Sequence, residues 1–324
     1  MTSRRAFVAA ALALPLAARA QRAKTHRIGY LLLAPLTDAP SPERAAFLDE
    51  LRSLGYVDGK NLRIEYRSAE GRRERLPALA QGLVREKVEV IVATATPAAL
   101  AAARATTRIP VVFVGIADAQ RVKLVANFAR PEANVTGVTW LAFETLSKRF
   151  QLLKETLPAA GRVAVLWNPS DEAAAEQRPL AAEAAGHLGL RLDDYPVGGV
   201  EQLQAALERL GRERPDALFV VPDARIVTYR KILADEALKR RVPCFSSYRG
   251  FVEAGALMSY SADLAQLYRR GASFVARLLR GAKTAELPVE QPTRFELVLN
   301  LKTASALGLQ IPHSVMVLAD EVIK

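Results

Sequence analysis

Two rhythms of apolar residues alternate along this chain. Short unbroken runs, Arg27 to Leu33 (RIGYLLL), Val88 to Val92 (VEVIV) and Ile109 to Val114, have the length and composition of strands buried on both faces. Between them, Phe47, Leu48, Leu51 and Leu54, and then Leu76, Leu79, Ala80, Leu83 and Val84, recur at the spacing of one helix face. Ser41 and Pro42 open the first helix and Gly55 closes it. Leu62 to Tyr66 alternates like an edge strand. After Val92 the run breaks into Thr94, Ala95, Thr96 and Pro97, where Thr96 suits an N-cap and Pro97 the first helical position of an alanine-rich helix. The order βαβαβαβ predicts a parallel sheet wrapped by right-handed crossovers.

The same order then recurs. RVAVLWNP at 162–169 parallels RIGYLLLAP at 27–35, and Leu188-Gly189-Leu190 echoes Leu54-Gly55-Tyr56. Leu203, Ala206, Leu207 and Leu210 repeat the stripe of the second helix. ALFVVPDA at 217–224 matches VEVIVATA at 88–95, and RVPCFSS at 241–247 matches RIPVVFV at 108–114. Matches in one order imply a duplicated module, so the predicted fold class is α/β with two Rossmann-like lobes, each a parallel sheet flanked by helices. Asn134 to Trp140 leaves the first sheet and leads to a helix with Leu146, Phe150, Leu153 and Leu157 on one face. Gly255 to Tyr260 leaves the second and leads to Asp263–Arg280, and the proline-bearing stretch 286–292 offers a third passage. Three passages form a multi-strand hinge beside a cleft. The expected division is 26–138 with 260–285 for lobe 1, and 139–259 with 286–324 for lobe 2.

Open α/β sheets bind ligands at their carboxyl edges, where strands turn into helices. The polar residues at those edges are Thr94, Thr96 and Asp118 in the first lobe and Asn168, Asp223, Ser247 and Tyr248 in the second. Trp140 stands at the first crossover. These eight are the candidate ligand-binding residues. A helix N-terminus stabilises an anion by roughly 0.3–2 kcal/mol, whereas micromolar binding needs about 8 kcal/mol. One turn is therefore insufficient, and a grip from both lobes is expected.

The net charge of +11 comes from 45 basic and 34 acidic residues. The bases are scattered and no basic helix is interleaved with aromatics, which argues against nucleic acid as a partner. Some of the excess belongs to an address: Arg4 and Arg5 precede the apolar run Val8 to Leu16, and Ala18-Arg19-Ala20 offers a cleavage site. Residues 1–20 read as a twin-arginine-like signal peptide cleaved near Ala20, which sends the chain to the periplasm. Cys244 is the single cysteine and is expected in the core.

No enzyme chemistry can be assembled. The histidines His26, His187 and His313 stand far apart with no metal-ligand spacing, and neither a Gly-rich phosphate loop nor a nucleophile elbow occurs. No catalytic residue, metal or cofactor is expected.

Several strings resemble a known family. The twin-arginine leader, RIGYLL, LRSLGYVDGKNLRIEYRSAEG, LPALAQGLV, IVATATPAAL, TTRIPVVFVG, ANVTGVT, KRFQLLKETLP, RVAVLWNP, GALMSY and LVLNLKTASALGLQIP are similar to the periplasmic substrate-binding proteins of ABC transporters, of the tryptophan-binding TrpX-like group. The group's SYGPD-like turn stands here as Tyr260-Ser261-Ala262-Asp263. The resemblance implies a type I periplasmic binding fold whose lobes close on a small polar or amphipathic solute, such as an amino acid, and deliver it to a membrane permease. The receptor is expected to be a monomer. A ligand-sensing module signalling to a membrane partner would share these features.

Overall fold

The structure, a computed structural model, describes residues 25–131 and 133–324. The signal-peptide reading of residues 1–20 lies outside the described residues. In the first half, β1 (His26–Leu32), α1 (Pro42–Ser53), β2 (Leu62–Ser68), α2 (Leu76–Arg85), β3 (Val90–Thr94), α3 (Thr96–Ala105), β4 (Val111–Ile116) and β5 (Val135–Thr139) alternate as expected. Their strands form one all-parallel sheet in the order β2-β1-β3-β4-β5. β3 is buried along its whole length because helices cover both faces. Alanines at 98, 99 and 102 let α3 approach closely.

After α4 (Leu146–Thr156) the order repeats as β6 (Arg162–Trp167), α5 (Glu172–Gly186), β7 (Arg191–Pro196), α6 (Val200–Glu213), β8 (Ala217–Val220), α7 (Arg230–Lys239) and β9 (Cys244–Ser246). Next come α8 (Arg249–Glu253), β10 (Met258–Ala262), α9 (Leu264–Leu279), β11 (Phe295–Asn300), α10 (Leu301–Leu307), α11 (His313–Leu318) and β12 (Glu321–Ile323). The second sheet runs β12-β11-β10-β9-β8-β6-β7 and is parallel except where β10 meets β11. Its part β7-β6-β8-β9 reproduces the order β2-β1-β3-β4 of the first sheet. The duplicated module is thus a matter of topology as well as of composition. Cys244 is buried, and burial raises its thiol pKa to about 12.

The expected lobe boundaries move at two points. β10 belongs to the second sheet through Ala262, so the chain crosses at Asp263 rather than at Tyr260. From there α9 packs along α1, and Leu267, Phe274 and Val275 join the core of the first sheet. Residues 287–290 follow β5 instead of entering the second lobe. The Thr136 hydroxyl donates to Leu287 O (2.6 Å), Glu290 N to Gly137 O (3.0 Å) and Thr139 N to Glu290 O (3.1 Å). The unpaired outer edge of β5 supplies partners that composition could not reveal.

Arg149 on α4 ties two of the passages together. It is only 4% exposed, and its guanidinium donates to Tyr260 O (2.9 Å) and Ala142 O (2.8 Å). Burial lowers its pKa, and the two carbonyls compensate the desolvated charge. Arg149→Met is expected to cost about 3 kcal/mol, because both carbonyls lose a charged donor. Urea unfolding checks this, and an unchanged midpoint would show that the hinge strands hold themselves.

Candidate functional site

Where the carboxyl edges of the two sheets meet, they enclose a cavity of about 260 Å³. From the first sheet, Thr94 ends β3 and Thr96 starts α3, while Trp140 follows β5. From the second, Asp171 and Ala173 begin α5, Asp223 follows β8 and Tyr248 follows β9. Two helix N-termini, of α3 and α5, therefore open on one space. A larger concavity of about 910 Å³ lies elsewhere, around Pro158, Arg214 and Lys239. It is lined from the second half of the chain alone and contains none of the strand-end residues.

Of the eight candidates, Thr94, Thr96, Trp140, Asp223 and Tyr248 line the cavity. Asn168 stands behind it, where its amide donates to Asp223 Oδ2 and its Oδ1 accepts from Ser170 N (3.0 Å). Asp118 does not reach the cavity. Its carboxylate holds a turn by accepting from Gln120 N (2.8 Å) and Arg121 N (3.1 Å), the use of Asp that turn chemistry favours. Ser247 is buried and away from the lining.

Thr96 is not the cap of α3. The helix begins at Thr96 itself, and Ala95 occupies the cap position with φ +67°, a conformation rare outside glycine. The turn thereby sets Thr94, Ala95 and Thr96 together on the cavity wall. Strain of this kind costs about 1–3 kcal/mol and persists where surrounding packing over-determines it.

Asp223 is firmly held: Oδ1 accepts from Arg225 N (2.9 Å) and Ile226 N (2.6 Å), and Oδ2 from Asn168. Asp171 caps α5 through Ala174 N (2.9 Å) and lies 3.8 Å from the Arg73 guanidinium. Burial raises the Asp171 pKa, and the Asp223 charge adds to the effect. The indole nitrogen of Trp140 is buried with no acceptor among the described residues.

Sequence reasoning missed Glu43, Asp171, Gln177 and Tyr268, all of which line the cavity. Glu43 lies in the first turn of α1 and Tyr268 in the second turn of α9, outside the strand ends, and nothing in their local sequence separates them from ordinary helix residues. Asp171 did carry a signal, as an N-cap ahead of an alanine-rich run.

Hydrogen bonds join the halves around the cavity, in addition to the Arg73–Asp171 pair. The Tyr248 hydroxyl donates to Glu43 Oε1 (2.9 Å), and Arg225 Nη2 donates to Gly71 O (3.0 Å). Arg73 reaches in the opposite direction to Ser170 O.

The chain belongs to the family of ABC transporter substrate binding proteins, which residues 37–323 match. The tyrosine-binding protein of Clostridioides difficile (strain R20291) is 26% identical over 280 residues, spanning 86% of this chain and 80% of that protein. The crystal structure of a conserved domain protein from Vibrio cholerae is 29% identical, with a TM-score of 0.85 over 92% of this chain and all (100%) of that one. An ABC domain from Streptococcus pneumonia in complex with L-Trp is 26% identical, with a TM-score of 0.83 over 93% of this chain and 100% of the other. The family is one of substrate-binding proteins, and the fold is the type I periplasmic binding fold. No helix among the described residues is long and apolar enough to cross a membrane.

Proposed function

We propose that this chain is the periplasmic receptor of an ABC import system, closing two lobes around a small amino-acid-like solute and delivering it to a membrane permease. The observation that carries this reading is the cavity built from both sheets and bridged by Tyr248 and Glu43. Its volume lies just under the range of about 300–1,000 Å³ typical of drug-sized ligands, which suits a single metabolite. Carboxylates at Glu43, Asp171 and Asp223 suit an ammonium, the N-terminus of α3, which no side chain caps, suits a carboxylate, and Trp140 supplies an apolar face with one donor that has no acceptor among the described residues. A zwitterion with an amphipathic side chain satisfies all three. The relatives that bind tyrosine and L-Trp support the same class.

Contacts from both halves at one cavity support closure as part of this reading. Only the closed arrangement presents both sets of contacts, so a solute shifts the population toward it. In this reading lobe 1 is the first sheet with α9, lobe 2 is the second sheet, and the leader at residues 1–20 directs export. Mass spectrometry of solute released from natively purified protein should find an amino acid or a close relative. Recovery of no solute, together with failure to bind any of the proteinogenic amino acids, would count against the class.

Arg73 and Arg225 close the side of the cleft far from the passages, each donating to a carbonyl of the other half. The double variant Arg73→Ala/Arg225→Ala is expected to enlarge the radius of gyration of the ligand-free protein. Solute affinity should fall about tenfold, or ~1.4 kcal/mol. Small-angle scattering and calorimetry check both, and identical curves for parent and variant would dismiss the latch.

A further inference from the structure

The larger concavity stands at the opposite end of the second half from the cleft, where the chain enters β6, β8 and β9 at the amino edge of their sheet. Its floor is apolar: Leu157 and Leu309 are half-buried against the core of that half, and Pro215, Val242 and Pro243 are buried beside them. Its rim carries Arg214, Lys239, Arg240 and Arg241 against the one carboxylate of Asp216, which is spent on Gly161 N and Arg162 N (both 2.8 Å). Basic residues belong at helix C-termini, and α4, α6 and α7 all end here. Each already has a base in its last turn, Lys154, Arg212 and Lys239. Arg240 is paired with Glu236. Arg214 and Arg241 are therefore surplus to the helix ends. Among the described residues the Arg214 side chain has no partner, and that of Arg241 has only Leu307 O, at 3.3 Å.

Both surplus arginines also occupy positions where glycine would fit better. Their φ angles are +43° and +59°, a left-handed backbone that costs free energy in any residue with a side chain. Guanidinium groups kept at strained positions beside an apolar floor match a ligand that brings both an anionic head and an apolar body. We propose that this concavity binds an amphipathic organic anion, with Arg214 and Arg241 on its head and Leu157, Val242 and Leu309 under its body. The volume of about 910 Å³ falls within the range of about 300–1,000 Å³ of small-molecule sites. All of the lining comes from the second half of the chain, so the site depends neither on closure nor on the receptor reading. Two sources carry this chemistry, a free fatty-acid-like carboxylate and the headgroup of an anionic lipid.

The test titrates dodecanoate, dodecanol and acetate, each below any micelle concentration, into the parent and into Arg214→Gly/Arg241→Gly by calorimetry. The parent should bind dodecanoate at least about tenfold more tightly than either of the others, and the variant should lose that margin. Because glycine relieves both left-handed positions, the variant should unfold at the parent's Tm or above it, which separates loss of the site from loss of the fold. Should it melt lower, Arg214→Gln is the deciding variant, since that side chain holds nothing else in place. Sedimentation with phosphatidylglycerol vesicles, and with phosphatidylcholine vesicles as the neutral control, assigns the source. Dodecanoate binding that the variant loses supports a free anion. Binding to phosphatidylglycerol alone, lost in the variant and without binding of dodecanoate, supports a lipid headgroup. A parent that takes neither anion, a parent with no preference for the charged head, or a variant that keeps the parent's affinity overturns the proposal.

Discussion

Asp223→Ala is expected to weaken solute binding by about a hundredfold, equivalent to ~2.7 kcal/mol. The carboxylate sits on the cavity wall with its orientation fixed from behind by Asn168, Arg225 N and Ile226 N. Removing it deletes a charged partner for the solute and also frees the turn after β8. Asp223→Asn separates the two effects, since an amide oxygen can still accept from the backbone while the charge is gone. If charge dominates, Asn should bind nearly as weakly as Ala. Calorimetric titration with the co-purified solute decides this, and parental affinity in Asp223→Ala would remove Asp223 from the site. Thr96→Ala should have a smaller effect, because a single neutral hydroxyl contributes about 1 kcal/mol.

Gly137→Ala should be the most damaging single substitution to the fold. Gly137 pairs with Phe113 across β4 and β5, and its φ is +154°. A methyl there would stand 2.0 Å from Phe113 O and 2.7 Å from both Phe113 N and its ring. The obstacle is backbone inside a sheet, so no rotamer change relieves it, and a loss of about 3 kcal/mol or more is expected. The same residue accepts from Glu290 N, so the segment running along β5 toward the hinge should loosen too. A Tm within two or three degrees of the parent's would show that β4 and β5 can part without cost.

Much of this architecture is legible before any coordinates. The runs at Arg27, Val88, Arg162 and Ala217 all became central strands, because a buried parallel strand demands continuous apolar residues. Ser41 does cap α1, accepting from Arg44 N (3.3 Å) as its place before Pro42 suggests. Thr96 shows where such reasoning stops. Its sequence context fits a cap equally well, yet packing puts Ala95 in that position with a strained backbone. Asp118 and Asn168 have the chemistry of ligand-binding residues, but local turns and a neighbouring carboxylate engage them first. Strand-end position identifies which residues can face the cleft and leaves open which of them do.

The element order and the twofold use of one βα module can be read along the chain, because periodicity and capping act over a few residues. Only the tertiary structure decided the chemistry of the cavity. Glu43 and Tyr248 lie 205 positions apart in the chain and meet at 2.9 Å. Their encounter depends on how two sheets face each other across three passages, and no local spacing encodes that angle.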